Sequence, residues 1–136
     1  MHRGSGWARD RFRSERVARL ATVDGQGRPH LVPVVFAVDQ AWIYSAVDAK
    51  PKSTLALQRL RNLAAHPAAS LVVDHYDEDW TQLWWIRLDG PARVLETGPE
   101  RDAAIGALTA KYSQYVDASP PGAVVALDVE TWRAWP

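Results

Sequence analysis

Between residues 17 and 23 (VARLATV) apolar side chains alternate with others, the period of a half-buried strand. Asp24, Gly25, Gln26 and Gly27 then read as a turn, because Gly tolerates positive φ and Asp accepts bonds from its own backbone. Residues 29–38 (PHLVPVVFAV) form a nearly continuous β-branched run, followed beyond Asp39 and Gln40 by residues 41–47 (AWIYSAV). Residues 28–47 therefore predict a hairpin. Pro33 lies inside the run without an N–H for a ladder, which requires a bulge, an edge or a ligand-facing position.

The period then changes. In residues 53–66 (STLALQRLRNLAAH), Ala56, Leu60, Leu63 and Ala64 recur on one helical face, and Pro67 marks the stop. Residues 69–75 (ASLVVDH) return to strand, and residues 76–80 form an acidic loop. Residues 81–88 (TQLWWIRL) and 92–96 (ARVLE) predict two strands broken by Asp89, Gly90 and Pro91. Residues 99–112 predict a second helix with Ile105, Leu108 and Tyr112 on one face, and residues 123–129 (AVVALDV) a last strand. Ahead of these, residues 7–16 read as a short basic helix after a loose start at 1–6. Six or seven strands joined mainly by hairpins, with two or three short helices, make a mainly β, α+β domain: an antiparallel barrel with appended helices.

The length of 136 residues fits one domain spanning 1–136. The absence of cysteine removes disulfides, thiolate nucleophiles and cysteine-ligated metals. No run approaches the roughly twenty apolar residues of a membrane span, and no secretory signal is visible, so a cytoplasmic protein is expected. Zero net charge conceals an asymmetry. Residues 1–61 carry eleven Lys and Arg against five acids, and residues 62–136 five against eleven. Such a split predicts a basic site in the first half or two halves that face each other. Seven tryptophans suit interfaces and planar-ligand pockets.

Candidate chemistry centres on Lys50, Lys52, Ser53 and Thr54, which open the first long predicted helix. Lysines at a helix N-terminus oppose the macrodipole by about 0.3–1 kcal/mol each. A phosphate would reconcile them, taking the first-turn N–H groups, a hydroxyl and both ammonium groups. A solvated basic turn is the plainer alternative. Arg59 and Arg61 extend the positive field. His75 and the acids after it are metal-ligand types, but consecutive loop acids usually form a solvated face, and no metal site is expected. No nucleophile elbow, Walker loop or dinucleotide fingerprint occurs. The arginines of residues 9–19 are too well compensated overall to predict a nucleic-acid partner.

The opening hairpin with GRPHLVPV, the lysine-bearing segment before RNL and HP, and the HYDEDW and LWWIRLDG blocks resemble the pyridoxamine 5′-phosphate oxidase-like split β-barrel family. They are most similar to its actinobacterial branch that uses the deazaflavin coenzyme F420. The resemblance spans residues 17–132 and implies a homodimer with the cofactor at the subunit interface. It implies that Pro33, Val34, Val35 and Phe36 line the ring, and that Tyr44, Ser45, Lys50, Lys52 and Ser53 hold the ribityl phosphate. Arg61 and Asn62 match a basic–Asn pair that supports the phosphate or tail. The usual contiguous Arg-Lys pair is replaced here by Lys50-Pro51-Lys52, about ten residues before Asn62, which leaves open which lysine takes the phosphate.

Trp84, Trp85 and Arg87 match the strand that family members contribute across the dimer. Adjacent strand residues face opposite ways, so one indole lines a given pocket and the other packs elsewhere. Trp85 with Arg87 is the pair assigned to the cofactor, with Arg87 steering a carboxylate or the tail; core packing and a surface ion pair are the plainer alternatives. The implied activity is hydride transfer between F420 and a small unsaturated or conjugated substrate. FMN is the alternative cofactor, and a binding protein without turnover the alternative class. No protein side chain is assigned a catalytic role, because the cofactor carries the chemistry. Neither a membrane nor a nucleic acid is implied as partner.

Overall fold

The computed structural model of the protein describes residues 5–47 and 54–136, with Ser5 and residues 54–57 described by their backbone alone. Lys50, Lys52 and Ser53 lie outside the described residues. The chain runs α1 (Ser5–Ser14), β1 (Ala18–Val23), β2 (Pro29–Val34), β3 (Ala37–Asp39), β4 (Trp42–Ala46), α2 (Thr54–Ala65) and β5 (Ala68–His75). A single 3₁₀ turn at Trp80–Gln82 precedes β6 (Trp84–Leu95), α3 (Pro99–Lys111), α4 (Gln114–Asp117), β7 (Val124–Asp128) and β8 (Thr131–Trp135). All strand pairs are antiparallel, in the order β2-β1-β5-β6-β7-β4-β3, with β8 added to β6. The mainly β split-barrel class follows directly from this order.

Two expectations change. The 29–38 run does not pair as one arm of a hairpin. Its first part, β2, pairs β1 across the 24–27 turn, and only β3 pairs β4. The two ends of the strand order are thus consecutive in the chain, joined by Val35 and Phe36, where the backbone passes from one half of the barrel to the other. Conversely, residues 84–95 form one strand rather than two. Over Trp84 to Pro91 it pairs β5, and over Ala92 to Leu95 it pairs β7, so Asp89, Gly90 and Pro91 mark a change of sheet within a continuous strand. Glycine is required there, since a Cβ on Gly90 would stand 1.8 Å from the Asp128 carbonyl oxygen. The eighth strand, β8, and the short α4 add to the expected count.

Alternation sorts the side chains. Leu20, Leu71, Val73, Trp84, Ile86 and Leu88 point into the barrel, with Ile43 and Leu127 from the other half. The second half is buried on both faces. Ala46, Val124 and Ala126 point outward against Ala104, Leu108 and Tyr112 of α3 and its C-cap. At one end α1 inserts Phe12, fully buried, with its ring 4.7 Å from Phe36 and 5.7 Å from Trp132. The basic first half meets the second mostly through rings rather than carboxylates. Arg9 lies over Trp132, Arg11 over Trp84 and Arg16 over Tyr112, at 5.2, 4.9 and 4.5 Å. Such contacts keep guanidinium groups partly hydrated while the indoles cover the barrel end. No helix among the described residues is long and apolar enough to cross a membrane.

Candidate functional site

The predicted site residues fall into two groups. The first surrounds the β2–β3 junction, where the backbone leaves one ladder before joining the next and its polar groups need other partners. Side-chain hydroxyls supply them. Ser45 donates to the Val35 carbonyl at 2.9 Å. The Tyr112 hydroxyl accepts the Phe36 N–H at 3.2 Å and lies 2.8 Å from the Arg16 carbonyl and 3.0 Å from that of Phe36, either of which can take its proton. Burial raises the Tyr112 phenol above its ordinary value, so it stays a neutral donor. Phe36 faces the barrel interior at 0% exposure. Its ring therefore belongs to the core.

Tyr44 is likewise buried, with its hydroxyl donating to Glu100 at 3.2 Å. Burial, reinforced by the Glu100 charge, raises its phenol. Arg93 clasps the same carboxylate at 3.1 and 2.8 Å, and that bidentate contact holds Glu100 below the ordinary carboxylate value. Tyr44 thus anchors the first turn of α3. Asn62, 1% exposed, donates to Thr22 at 3.1 Å and accepts from Gln58 at 2.7 Å, which ties α2 to β1. Arg61, its neighbour, is exposed.

The second group shares the outer face of the β2-β1-β5-β6-β8 half. Register aligns Leu31, Ala21, Ser70, Asp89 and Thr131 in one row, and Pro33, Arg19, Val72, Arg87 and Arg133 in the next. Trp85 pairs Asp74 and Trp135 in a third row. β2 is an edge strand, one of the positions expected for Pro33. The two indoles part as alternation requires. Trp84 is inside, edge-on to Trp7 and stacked on His75, and Trp85 is half-buried outside. Arg87 pairs with Asp89 through Nε, at 3.1 Å to Oδ1 and 3.2 Å to Oδ2. Burial pushes the Asp89 carboxyl up, but bonds from Ser70 and Thr131 and the charge of Arg87 together bring it below its ordinary value. Beside Arg87 a groove of 770 Å³ opens between Val23, Pro29, Pro67, Ala69 and Pro91.

Sequence reasoning missed Tyr112 as a clamp on the junction, and missed Arg133 and Trp135 altogether. Part of the signal for β8 was present: Thr131 and Arg133 alternate with Trp132 and Ala134, but Trp135 falls on the polar side and blurs the pattern.

Residues 7–136 match the family described as pyridoxamine 5′-phosphate oxidase. The chain belongs to that family. No curated protein sequence matches it. Among solved structures it is similar to the conserved protein Rv2991 from Mycobacterium tuberculosis, at 21% identity and TM-score 0.80 over 99% of this chain and 86% of that one. A heme binding protein from Mycobacterium smegmatis shares 23% identity at TM-score 0.77, over 99% of this chain and 55% of that one. HutZ, the heme storage protein from Vibrio cholerae, shares 19% at 0.75, over 98% and 94%. At these identities the likeness is one of fold.

Proposed function

We propose that the protein is a homodimeric, cytoplasmic oxidoreductase that binds F420, with FMN as the alternative, and moves hydride between it and a small unsaturated or conjugated substrate. The observation that carries this is the common face of Pro33, Trp85 and Arg87. Three interstrand spacings separate β2 from β6, about 14 Å, too far for one chain to enclose a ring between them. A second copy packed face to face about a two-fold axis near β1 and β5 sets β2 of one chain over β6 of the other. Leu31, 65% exposed, Pro33, Val72 and Trp85 offer that face apolar surface to bury.

In such a site the ring would lie along the β2–β3 junction, its shape kept by the hydroxyls of Ser45 and Tyr112. Trp85 of the opposing chain would pack on it, and Arg87 would balance an anionic substituent. Lys50, Lys52 and Ser53, which precede α2 in the chain, and Arg61 on α2 would receive the phosphate or tail. The cofactor supplies the hydride chemistry, and the protein positions the two planes and excludes water. Tyr44 and Asn62, held by Glu100 and Thr22, would act by supporting the elements that carry the site.

A binding protein without turnover is the second reading, favoured by the two structural relatives named for heme binding and heme storage. A planar platform flanked by cations suits a tetrapyrrole as well as a deazaflavin. Titration with F420, FMN and hemin, followed by tryptophan fluorescence and the Soret band, separates these. Saturable F420 binding and hydride transfer to a panel of quinones and enones is the expected result. FMN binding alone would replace the cofactor, hemin binding alone would favour the second reading, and binding of none would end both. Replacing Lys50 and Lys52 together by alanine should weaken F420 or FMN binding at least tenfold, since bonds to charged groups contribute about 1.5–3 kcal/mol each.

A further inference from the structure

The antiparallel register of β6 and β8 sets Arg87 directly opposite Arg133. Both side chains lie on the outer face. Trp132 packs inward against the core and Phe12, while Thr131 reaches Asp89 on the outside at 2.9 Å. Like charges directly opposite one another destabilise a strand pair. The nearby acids resolve the conflict only in part, since Asp89 pairs with Arg87 at 3.1 Å while no acid among the described residues pairs with Arg133. Asp89 touches Arg87 only through Nε and spends its remaining capacity on Ser70, at 2.6 Å, and Thr131. Asp74 is engaged by Arg19 at 3.3 Å. Glu130, on the groove wall, forms no ion pair with either arginine. Among the described residues, the terminal amino groups of Arg87 and the whole guanidinium of Arg133 make no hydrogen bond or ion pair. The row below holds Trp85 opposite Trp135, the latter 57% exposed.

We propose that Arg87 and Arg133 form a two-arginine receptor for a carboxylate of the bound ligand, with Trp85 and Trp135 beside it as an apolar platform. Two guanidinium groups with free amino edges match the geometry of a carboxylate, which each can engage in a paired fashion, and the anion removes their mutual repulsion. The receptor's residues, on β6 and β8, are not those to which the reading above gives the phosphate, which leaves them for a second anionic group, either the carboxylate-bearing tail of the coenzyme or a carboxylate on a separate substrate. The first source rests on the F420 reading above; the arginine pair itself does not.

The test compares wild type with Arg133→Gln in binding F420, which carries tail carboxylates, and FMN, which has a phosphate and none. In parallel, glutarate is titrated into each protein, with and without cofactor, while the arginine Nε–H signals are followed by NMR. Arg133→Gln is expected to weaken F420 binding about tenfold and leave FMN binding unchanged. Glutarate is expected to shift the Arg87 and Arg133 signals in the free wild-type protein. Unchanged F420 affinity with glutarate still shifting both signals in the F420-bound protein assigns the receptor to a separate carboxylate. Equal weakening of F420 and FMN, or no glutarate shift in any form, overturns the proposal. If neither cofactor binds, the F420 reading falls, and the glutarate titration still decides the arginine pair.

Discussion

Replacing Gly90 by alanine probes the point on which the whole barrel turns. The added Cβ would lie 1.8 Å from the Asp128 carbonyl oxygen, 2.9 Å from its carbon and 3.2 Å from the Glu130 nitrogen, all backbone atoms that no rotamer change can move. To reach ordinary contact β6 and the β7–β8 link must separate by more than an ångström. That movement stretches the 2.9 Å bond from the Glu130 N–H to the Asp89 carbonyl and pulls Thr131 from the Asp89 carboxylate. Overpacking costs about 1–3 kcal/mol, and two weakened hydrogen bonds add about 1 kcal/mol each, for a total of about 3–5 kcal/mol. A chain of 136 residues has an unfolding entropy of about 0.3 kcal/mol/K, so melting should fall by about 10–17 °C. Circular dichroism or calorimetric melting measures this. Gly106→Ala is the control: the position is in α3 with nothing within 4 Å of an added Cβ, and helix propensity should raise melting by about 2–3 °C. Melting of Gly90→Ala within about 2 °C of wild type would refute the tight crossing.

Two further predictions concern the junction and the amine beside it. Tyr112→Phe keeps the ring under Arg16 and removes only the hydroxyl, leaving the buried Phe36 N–H unsatisfied. Melting should drop by about 3–10 °C, from a cost of about 1–3 kcal/mol, and an unchanged melting point would mean the phenol is not the clamp described. Lys111 donates to the Glu15 carbonyl at 2.7 Å and sits 3.8 Å from the Phe36 ring centre. Burial, then the charge of Arg16, opposed by Glu15 and aided by Arg13, lowers its amine from 10.5 to about 8. The unfolded chain then binds more protons between about pH 8 and 10.5, so stability from this group rises with pH across that window. Wild type should gain on Lys111→Met over that interval and run parallel to it at lower and higher pH. A constant gap throughout would show that Lys111 titrates normally.

Much of the fold was legible along the chain because alternation and helical period report directly on which side of an element faces apolar surroundings. Leu20, Leu71, Ile86 and Leu88 sit where period two places them, and Pro67 ends α2 where its missing N–H requires. The candidate site was legible only in part. Ser45 and Asn62 carry the right chemistry in the right segments, yet each is engaged by a partner distant in the chain: Val35 and Thr22. A polar side chain looks the same in sequence whether it waits for a ligand or holds the backbone. The 84–95 segment shows the same gap, since Asp89, Gly90 and Pro91 carry the signature of a loop. The neighbouring strands instead keep the chain extended, and glycine lets it pass against Asp128.

Most element types, the exclusion of thiol chemistry, the opposite facings of Trp84 and Trp85, and the resemblance to the family that residues 7–136 match were all readable along the chain. These are local properties, set by side-chain period, composition and residue type. The folded chain alone shows that β2 and β3 part at Val35 and Phe36, that Tyr112 closes the gap, and that Arg133 stands opposite Arg87. Strand register and the choice of partner depend on contacts between residues tens of positions apart. Their energies come from burial and hydrogen bonds that exist only once the chain has folded.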